Sequence, residues 1–357
     1  MTFIIAFVFA LAATAILVWP VRILARRFGF IDAPHIVERK LHHTATPLLG
    51  GLAMFIVFFI GAYFFRDIWM PKIEIKFIWL ILASSIVLML AGILDDKKSL
   101  KPAWQTGFVS LAAIIVILGG MSIRQITNPF GGIIELAGTV IPINLGFFTY
   151  NFLFIADIIT FFWLSGMMFT TKLLDGLDGL VSSLTMVGAI VIALFTLFTK
   201  FYQPEVAILA ALLAGCCAGF LLWNWHPAKI FLGEGGSLWT GFMLGVLGII
   251  SGSKIATTLL VLGVPALDMI WVIIRRTFYS HTKVTVGDRG HLHYRLMESG
   301  LTQNQTVMLF NIMGGVFGVA GLYLSRMLKI YALLLVIVLT MIVGWATVYF
   351  FREKKKH

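Results

Sequence analysis

The sequence is poor in charged residues. Aspartate, glutamate, lysine and arginine make up 12% of the 357 residues, whereas a soluble domain carries about 25%. Cysteine is rarer still, and the two present, Cys216 and Cys217, are neighbours, which excludes a disulfide framework or a cysteine metal site. In contrast, 60% of the residues are hydrophobic and the mean hydropathy is +0.98. These proportions exclude a soluble protein and predict an all-α, polytopic integral membrane protein.

Long apolar runs recur along the chain. A helix that crosses a bilayer needs about 20 mostly apolar residues, and this length predicts about eleven transmembrane helices. They lie near 3–24, 48–66, 77–94, 104–122, 146–168, 181–199, 205–223, 238–252, 256–274, 305–325 and 329–351. The segment 123–145 has Asn-Pro and Gly-Gly turn signals between short β-branched runs, which predict a small β-hairpin. No internal repeat is evident, so the sequence predicts a single domain over 1–357.

The basic residues are unevenly distributed between the predicted loops. Most of the 27 lysines and arginines fall on the side that holds the C-terminal REKKKH segment. By the positive-inside rule this side is cytoplasmic, which puts the N-terminus and the hairpin outside. The net charge of +11 then reflects orientation and contact with anionic lipid rather than nucleic acid.

The polar residues that carry chemistry collect on the same predicted side. All eight histidines lie there, together with most of the acidic residues that interrupt the apolar pattern. The loops concerned lie near 25–48, 95–104, 169–180, 224–237 and 275–304. This one-sided distribution predicts a functional site at the cytoplasmic surface of the membrane.

Two of these loops contain paired aspartates. Asp95 and Asp96, in AGILDDKKSL, repel each other and suit a general base or a metal ligand; a plain charged helix end is the alternative. Asp175 and Asp178, in DGLDGL, share a face of a helical turn, and the glycines between them allow a ligand to approach the backbone. The alternative for this motif is a helix cap followed by packing glycines.

Three other loops combine glycine, imidazole and basic groups. In HPAKIFLGEGGS a glycine-rich turn precedes a helix predicted to begin near Leu238, which is typical of a phosphate site, and Glu234 suits Mg²⁺. The alternative is a short turn capped by Ser237. The loop ERKLHH suits a lipid phosphate, and the loop GDRGHLHYRL suits a pyrophosphate or a sugar. Ordinary juxtamembrane charge is the alternative for both.

Together, the five motifs in this order resemble the polyprenyl-phosphate N-acetylhexosamine-1-phosphate transferase family, of glycosyltransferase 4 type. The HLHYRL form is similar to the members that use UDP-N-acetylglucosamine (UDP-GlcNAc). The resemblance implies that undecaprenyl phosphate attacks the β-phosphate of a UDP-sugar, giving undecaprenyl-pyrophosphoryl-sugar and UMP. This would be the first membrane step of an envelope glycan. It also implies a bacterial cytoplasmic membrane, a cytoplasmic active site and Mg²⁺ (or Mn²⁺) as cofactor, and it is compatible with a homodimer.

The resemblance implies a role for each matching residue. Asp95 or Asp96 would serve as the base or orienting group for the lipid phosphate. Asp175 would be a catalytic residue close to the pyrophosphate or its metal, and with Glu234 it would hold that metal. The implied substrate-binding residues are Arg39, Lys40, His42, Asp178, Asn224, Arg289, His291, His293 and Arg295. Among these, Asp178 and Asn224 would lie near the uracil.

Several positions depart from the family pattern. Lys172 replaces an expected asparagine, Glu234 replaces an aspartate, Gln105 stands where a basic residue is expected, and Tyr294 replaces a histidine. We interpret Lys172 as a further catalytic residue whose ammonium supplies part of the positive charge and compensates for Glu234. The competing hypothesis is damaged metal binding and a catalytically degenerate homologue.

A secondary transporter is the alternative from another functional class. Transporters place ionisable groups near the bilayer midplane, and Asp157 and Asp268 fall within predicted spans. Asp157 would suit a transporter if it faced the helix bundle. Pro265 is expected to break its helix and bring Asp268 towards the cytoplasmic site.

Overall fold

The protein is a bundle of helices with three short strand pairs. This computed structural model describes residues 1–33, 45–70, 72–128, 131–138, 140–144, 149–198, 202–252, 255–274 and 291–354. The helices are α1 (Thr2–Arg27), α2 (Gly50–Phe64), α3 (Arg66–Trp69), α4 (Ile75–Lys98), α5 (Pro102–Leu118), α6 (Phe154–Leu174), α7 (Leu180–Phe198), α8 (Pro204–Asn224), α9 (Glu234–Ile250), α10 (Ile255–Ile274), α11 (Leu292–Glu298), α12 (Gln303–Tyr323) and α13 (Arg326–Lys354). The strands are β1 (Ile31–Asp32), β2 (Thr46–Pro47), β3 (Gln125–Thr127), β4 (Ile133–Glu135), β5 (Val140–Asn144) and β6 (Thr149–Leu153).

The long apolar helices confirm a polytopic membrane protein. Seven of the described helices are long and apolar enough to cross a bilayer: α1, α4, α6, α7, α8, α10 and α12. The other four predicted spans coincide with α2, α5, α9 and α13, whose described apolar portions are shorter. The count of eleven spans therefore stays a prediction.

The polar segment between α5 and α6 contains two hairpins. Strands β3 and β4 pair antiparallel within the predicted range, with Ile126 opposite Ile134. A second antiparallel pair, β5 and β6, aligns Pro142 with Asn151. The prediction of a helix from residue 146 was therefore wrong at its start, because β6 occupies 149–153 and α6 begins at Phe154.

Asp157 fixes the junction between these hairpins and α6. Its carboxylate is buried and accepts hydrogen bonds from the Ser122 hydroxyl, from the Tyr150 hydroxyl at 2.7 Å and from the Leu153 amide at 2.9 Å. A carboxylate in the first turn also interacts favourably with the helix dipole. Asp157 is thus a structural acid at the beginning of α6, and these contacts do not support the transporter interpretation.

Glycine allows α9 to lie very close to α4. A Cβ atom added to Gly92 would overlap the backbone of Gly235, and one added to Gly51 in α2 would overlap Gly236. Small residues at helix crossings are typical of membrane bundles because they let the backbones approach. This close packing holds the beginning of α9 against the beginning of α2 and the last turns of α4.

We expect Gly92→Ala to lower the thermal stability of the detergent-solubilised protein. The added methyl group has no free space, and overpacking of this kind costs about 1–3 kcal/mol. Gly107→Ala in α5 is the matched control, since an added Cβ there contacts nothing within 4 Å. A melting temperature for Gly92→Ala equal to that of the control would contradict this account of the crossing.

Candidate active site

The predicted cytoplasmic motifs meet at one end of the bundle. The carboxylates of Asp95, Asp96, Asp175, Asp178 and Glu234, together called the acid cluster, come from the ends of α4 and α6, the following turn, and the beginning of α9. Leu48, which follows the first loop, donates its backbone amide to Phe30, and Phe231 donates to Pro47. The segment after the first loop therefore lies beside the turn that leads into α9.

Lys172 lies at the centre of the acid cluster. Its ammonium is 2.7 Å from Glu234 Oε2, 3.4 Å from Asp95 Oδ2 and 3.0 Å from Gln105 Oε1. Its side chain is only 15% exposed. The expected proximity of Lys172 and Glu234 is therefore observed, and one cation links α4, α5, α6 and α9.

Asp95 is buried and fully engaged by its surroundings. Its Oδ1 accepts from the Leu100 amide at 2.6 Å, and its Oδ2 accepts from Gln105 Nε2 at 2.8 Å. Gln105, which replaces an expected basic residue, therefore bridges Asp95 and Lys172. These contacts favour a positioning role for Asp95 and leave Asp96 as the more accessible carboxylate of the pair.

Asp96 lies at the N-terminus of α9 rather than beside a glycine-rich phosphate loop. The Glu234 amide donates to Asp96 Oδ1 at 3.2 Å, and α9 begins at Glu234 instead of near Leu238. Gly235 and Gly236 are used for contact with α4 and α2. The predicted start of this helix was therefore wrong, since these glycines lie inside α9 and their small size serves helix packing, whereas phosphate binding at this end of α9 stays a prediction.

Asp175 ends α6 and follows directly on its last turn. Its side chain is exposed to solvent at the surface of the protein. The surrounding helix ends nevertheless limit how well its carboxylate is hydrated. Restricted hydration, followed by the carboxylates of Glu234, Asp96 and Asp178, raises the pKa of Asp175 well above its ordinary value. The Lys172 ammonium acts in the opposite direction and favours the charged carboxylate.

Asp178 and Asn224 hold the turns that border the site. Asp178 Oδ2 is 2.7 Å from His226 Nδ1 and accepts from the Ala228 amide at 3.1 Å. Asn224 is buried; its Oδ1 accepts from the Gly179 amide and the Ser182 hydroxyl, and its Nδ2 donates to the Ile230 carbonyl, each at 3.0 Å. These bonds give Asn224 a positioning role, whereas direct contact with a uracil stays a prediction.

The histidine-rich segment packs on the DGLDGL turn. A Cβ added to Gly176 would overlap the Tyr294 hydroxyl and lie 2.9 Å from His293 Nε2. His293 is fully buried, and its ring stacks on that of His291 at 5.6 Å between centroids. His293 lies within α11 and His291 caps it, so the expected loop contains a short helix. Arg295 lies on the same helix and is half-buried.

Asp268 orients His291. Asp268 Oδ2 is 2.9 Å from His291 Nδ1, and Asp268 Oδ1 accepts from the Leu292 amide at 2.9 Å. Both side chains are buried. The expectation that Asp268 lies near this site is met, but the expected break is not, since Pro265 lies inside α10.

Four predicted site residues lie outside the described residues: Arg39, Lys40, His42 and Arg289. Three side chains of the observed network were not among the predicted site residues: Gln105, His226 and Asp268. Gln105 lies shortly after Asp96, His226 opens the HPAK motif, and Asp268 interrupts an apolar run. Each of these positions is visible in the sequence, but its partner depends on how the helices pack.

The donor chemistry of the acid cluster fits a hard cation. Among the described residues, no three acidic, imidazole or thiol groups lie close enough to hold a metal ion by themselves. Mg²⁺, however, usually takes one or two protein carboxylates and completes its coordination with water and substrate phosphates. Carboxylates already surround a cation at this site, namely the Lys172 ammonium.

An apolar crevice opens beside Asp96. Its lining comes from the end of α4, the beginning of α2 and the beginning of α9: Leu49, Leu52, Met89, Ile93, Asp96, Leu232, Gly235 and Gly236. The crevice is small, with a volume of about 10 Å³ for a water-sized molecule. Its lining is apolar except for the Asp96 carboxylate.

Comparison with known proteins gives consistent similarities. The family model described as Glycosyl transferase family 4 matches residues 78–252, which include the whole acid cluster. The chain is 27% identical over 356 residues to a probable undecaprenyl-phosphate N-acetylglucosaminyl 1-phosphate transferase of Bacillus subtilis, covering 96% of this chain and 92% of that protein.

Two further relatives have similar identity. A decaprenyl-phosphate N-acetylglucosaminephosphotransferase of Mycobacterium tuberculosis is 28% identical over 334 residues, covering 85% of this chain and 78% of the relative. A phospho-N-acetylmuramoyl-pentapeptide-transferase of Endomicrobium trichonymphae is 27% identical over 297 residues, covering 79% and 80%. All three are named as transferases.

Proposed function

This chain belongs to glycosyl transferase family 4, and from that premise we propose that it transfers N-acetylglucosamine 1-phosphate from UDP-GlcNAc to undecaprenyl phosphate. Two relatives carry names that describe transfer of this kind to a polyprenyl phosphate. The product, undecaprenyl-pyrophosphoryl-N-acetylglucosamine, would start an envelope glycan. The single observation that carries the proposal is the acid cluster of a multi-pass membrane protein, held around Lys172.

The reaction is a phosphoryl transfer. An oxygen of the lipid phosphate forms a bond to the β-phosphorus of the UDP-sugar, and the bond from that phosphorus to the bridging oxygen breaks. The electron pair of the broken bond leaves with UMP. Little covalent chemistry falls to the protein in such a reaction, so catalysis depends on positioning and on neutralising charge.

Different residues of the site would bind the lipid phosphate and the pyrophosphate of the UDP-sugar. Asp96 borders the apolar crevice, which supports its assignment as the group that orients the lipid phosphate, with Asp95 holding Gln105 and Lys172 in place. His293 packs on Gly176 of the DGLDGL turn, and we assign His291, His293 and Arg295 to contact with the pyrophosphate and the sugar. Asp178 would border the nucleotide.

Glu234 and Asp175 would hold Mg²⁺, for which Mn²⁺ can substitute. When bound with the nucleotide, this ion neutralises charge on the pyrophosphate. Lys172 adds a second positive charge through its contact with Glu234. The protein thereby provides both a ligand for the metal and a fixed cation beside it.

The proposed setting is the bacterial cytoplasmic membrane, with the acid cluster facing the cytoplasm. Eleven spans, an external N-terminus and a cytoplasmic C-terminus agree with the distribution of basic residues. A water-soluble nucleotide and a membrane-bound phosphate meet at this boundary. That meeting gives a functional reason for placing aspartates directly after apolar helices.

We expect the purified protein to release UMP only when undecaprenyl phosphate, UDP-GlcNAc and Mg²⁺ are all present. UMP is measured by chromatography, with reactions that lack one component as controls. UDP-galactose and UDP-glucose in place of UDP-GlcNAc test the choice of sugar. Substrate flux without UMP release would instead favour a transporter.

A further inference from the structure

We propose that the Lys172 ammonium is a built-in cation that lowers the affinity of the free protein for divalent metal ions. The metal then binds together with the phosphates of the nucleotide. The inference deepens the proposed function by stating the order in which metal and substrate arrive. It rests on the contacts of Lys172 with Asp95, Gln105 and Glu234, all of which are described residues.

Oxygen atoms surround the ammonium group. Lys172 Nζ donates hydrogen bonds to Gln105 Oε1 at 3.0 Å and to Asp95 Oδ2 at 3.4 Å, and it forms an ion pair with Glu234 Oε2 at 2.7 Å. With 15% of its side chain exposed, Lys172 has little access to competing water. The ammonium therefore stays among the carboxylates.

This position conflicts with tight binding of a free metal ion. Glu234 is a proposed metal ligand, and one of its oxygens already contacts Lys172. A divalent ion bound to Glu234 would lie a few ångströms from the ammonium, where like charges repel strongly because the site is only partly hydrated. The described residues also lack a ready set of three ligands.

The phosphates of a nucleotide would change this balance. They bring negative charge and oxygen ligands, so a metal and Lys172 can then be accommodated together. Without the nucleotide, Lys172 neutralises part of the cluster and limits repulsion between the carboxylates of α4 and α9. Lys172 thus neutralises the carboxylates when no nucleotide is bound, and it lies beside the metal and the phosphates when the nucleotide is present.

The test measures binding of Mn²⁺ alone to the full-length protein in detergent, with neither UDP-sugar nor lipid phosphate present. Free Mn²⁺ is followed by electron paramagnetic resonance. We expect Lys172→Met to bind Mn²⁺ at least about tenfold more tightly than the unchanged protein, because a nearby positive charge is removed. Lys172→Arg keeps the charge and should bind as weakly as the unchanged protein.

A second variant and a double variant locate the effect. Lys172→Gln, which keeps a polar side chain, should show the same gain and replaces Lys172→Met if that protein does not fold. Adding Glu234→Gln to either variant should remove the gain. Mn²⁺ binding that is no tighter in Lys172→Met and Lys172→Gln, or equally tightened in Lys172→Arg, would overturn the inference.

This outcome is separable from that of the transferase assay. Tighter Mn²⁺ binding without UMP release from any substrate mixture would support the charge effect and reject the proposed function. UMP release with unchanged Mn²⁺ affinity would retain the transferase and reject the role of Lys172 in limiting metal binding.

Discussion

Glu234→Gln should lower UMP release by more than about a hundredfold. The substitution keeps the size of the side chain but removes the charge that would hold the metal and that contacts Lys172 at 2.7 Å. It also leaves Lys172 with Asp95 as its remaining charged contact within 4 Å among the described residues. The rate is measured over a range of Mg²⁺ concentrations with saturating substrates.

Glu205→Gln is the matched control. Glu205 is a buried acid that pairs with Lys72 at 3.6 Å, and it lies in the first turn of α8, whereas Asn224 at the other end of that helix borders the active site. The control should retain most of its activity. Unchanged UMP release by Glu234→Gln, with normal Mg²⁺ dependence, would remove Glu234 from the metal site.

Asp268→Asn should lower kcat/KM for the UDP-sugar by about 10- to 100-fold, the range typical for loss of a carboxylate that orients a metal-ligating imidazole, here applied to an imidazole that would contact substrate. Asp268 accepts from the segment at His291 and Leu292 with both of its oxygens. Loss of the charge weakens the hold on the His291 ring and on the beginning of α11. Initial rates at varied UDP-sugar concentration give the value.

A double-mutant cycle separates a positioning role from a general loss of stability. If Asp268 acts through His291, then adding Asp268→Asn to His291→Ala should cause little further loss of activity, because the group that it positions is already absent. Melting temperatures of the same variants monitor folding. Losses that simply multiply in the double variant would show that Asp268 acts independently of His291.

The sequence is sufficient to locate the helices because a bilayer forces apolar runs of a defined length. It is less informative where hydrophobicity alone has to decide the secondary structure. The run from 146 predicts one helix, yet TYNFL forms β6, since a short apolar stretch with aromatic residues fits either state. The pairing with β5 settles the choice, and that contact is not local.

The glycines at the beginning of α9 show a similar limit. In a sequence, Gly-Glu-Gly-Gly indicates a turn, but Gly235 and Gly236 lie in the helix, at its contacts with Gly92 and Gly51. A turn and a close contact between helices both favour glycine, because it has no side chain. Distinguishing them requires the neighbouring helix, which no local pattern contains.

The acid cluster can be anticipated because motifs on one side of a membrane must share a small surface. Which side chains contact each other within the cluster cannot be predicted from the sequence. Lys172 and Asp95 are 77 positions apart, and their contact depends on how α4, α5 and α6 pack. In the sequence Gln105 is visible only as a departure from a family pattern, although it joins both of these residues.

Helix α6 is fastened at both ends, and this has a consequence for the lipid environment. Asp157 is held at one end by the hairpin segments, and Lys172 is held at the other by the acid cluster. The fifteen residue steps between them span about 22 Å, less than the roughly 30 Å of a bilayer's hydrocarbon core. Sliding α6 along its axis would break both sets of contacts, so a thicker or thinner bilayer must be met by tilting or by deformation of the lipid. The acid cluster therefore keeps a fixed depth relative to the hairpins, whatever the acyl-chain length of the surrounding lipid.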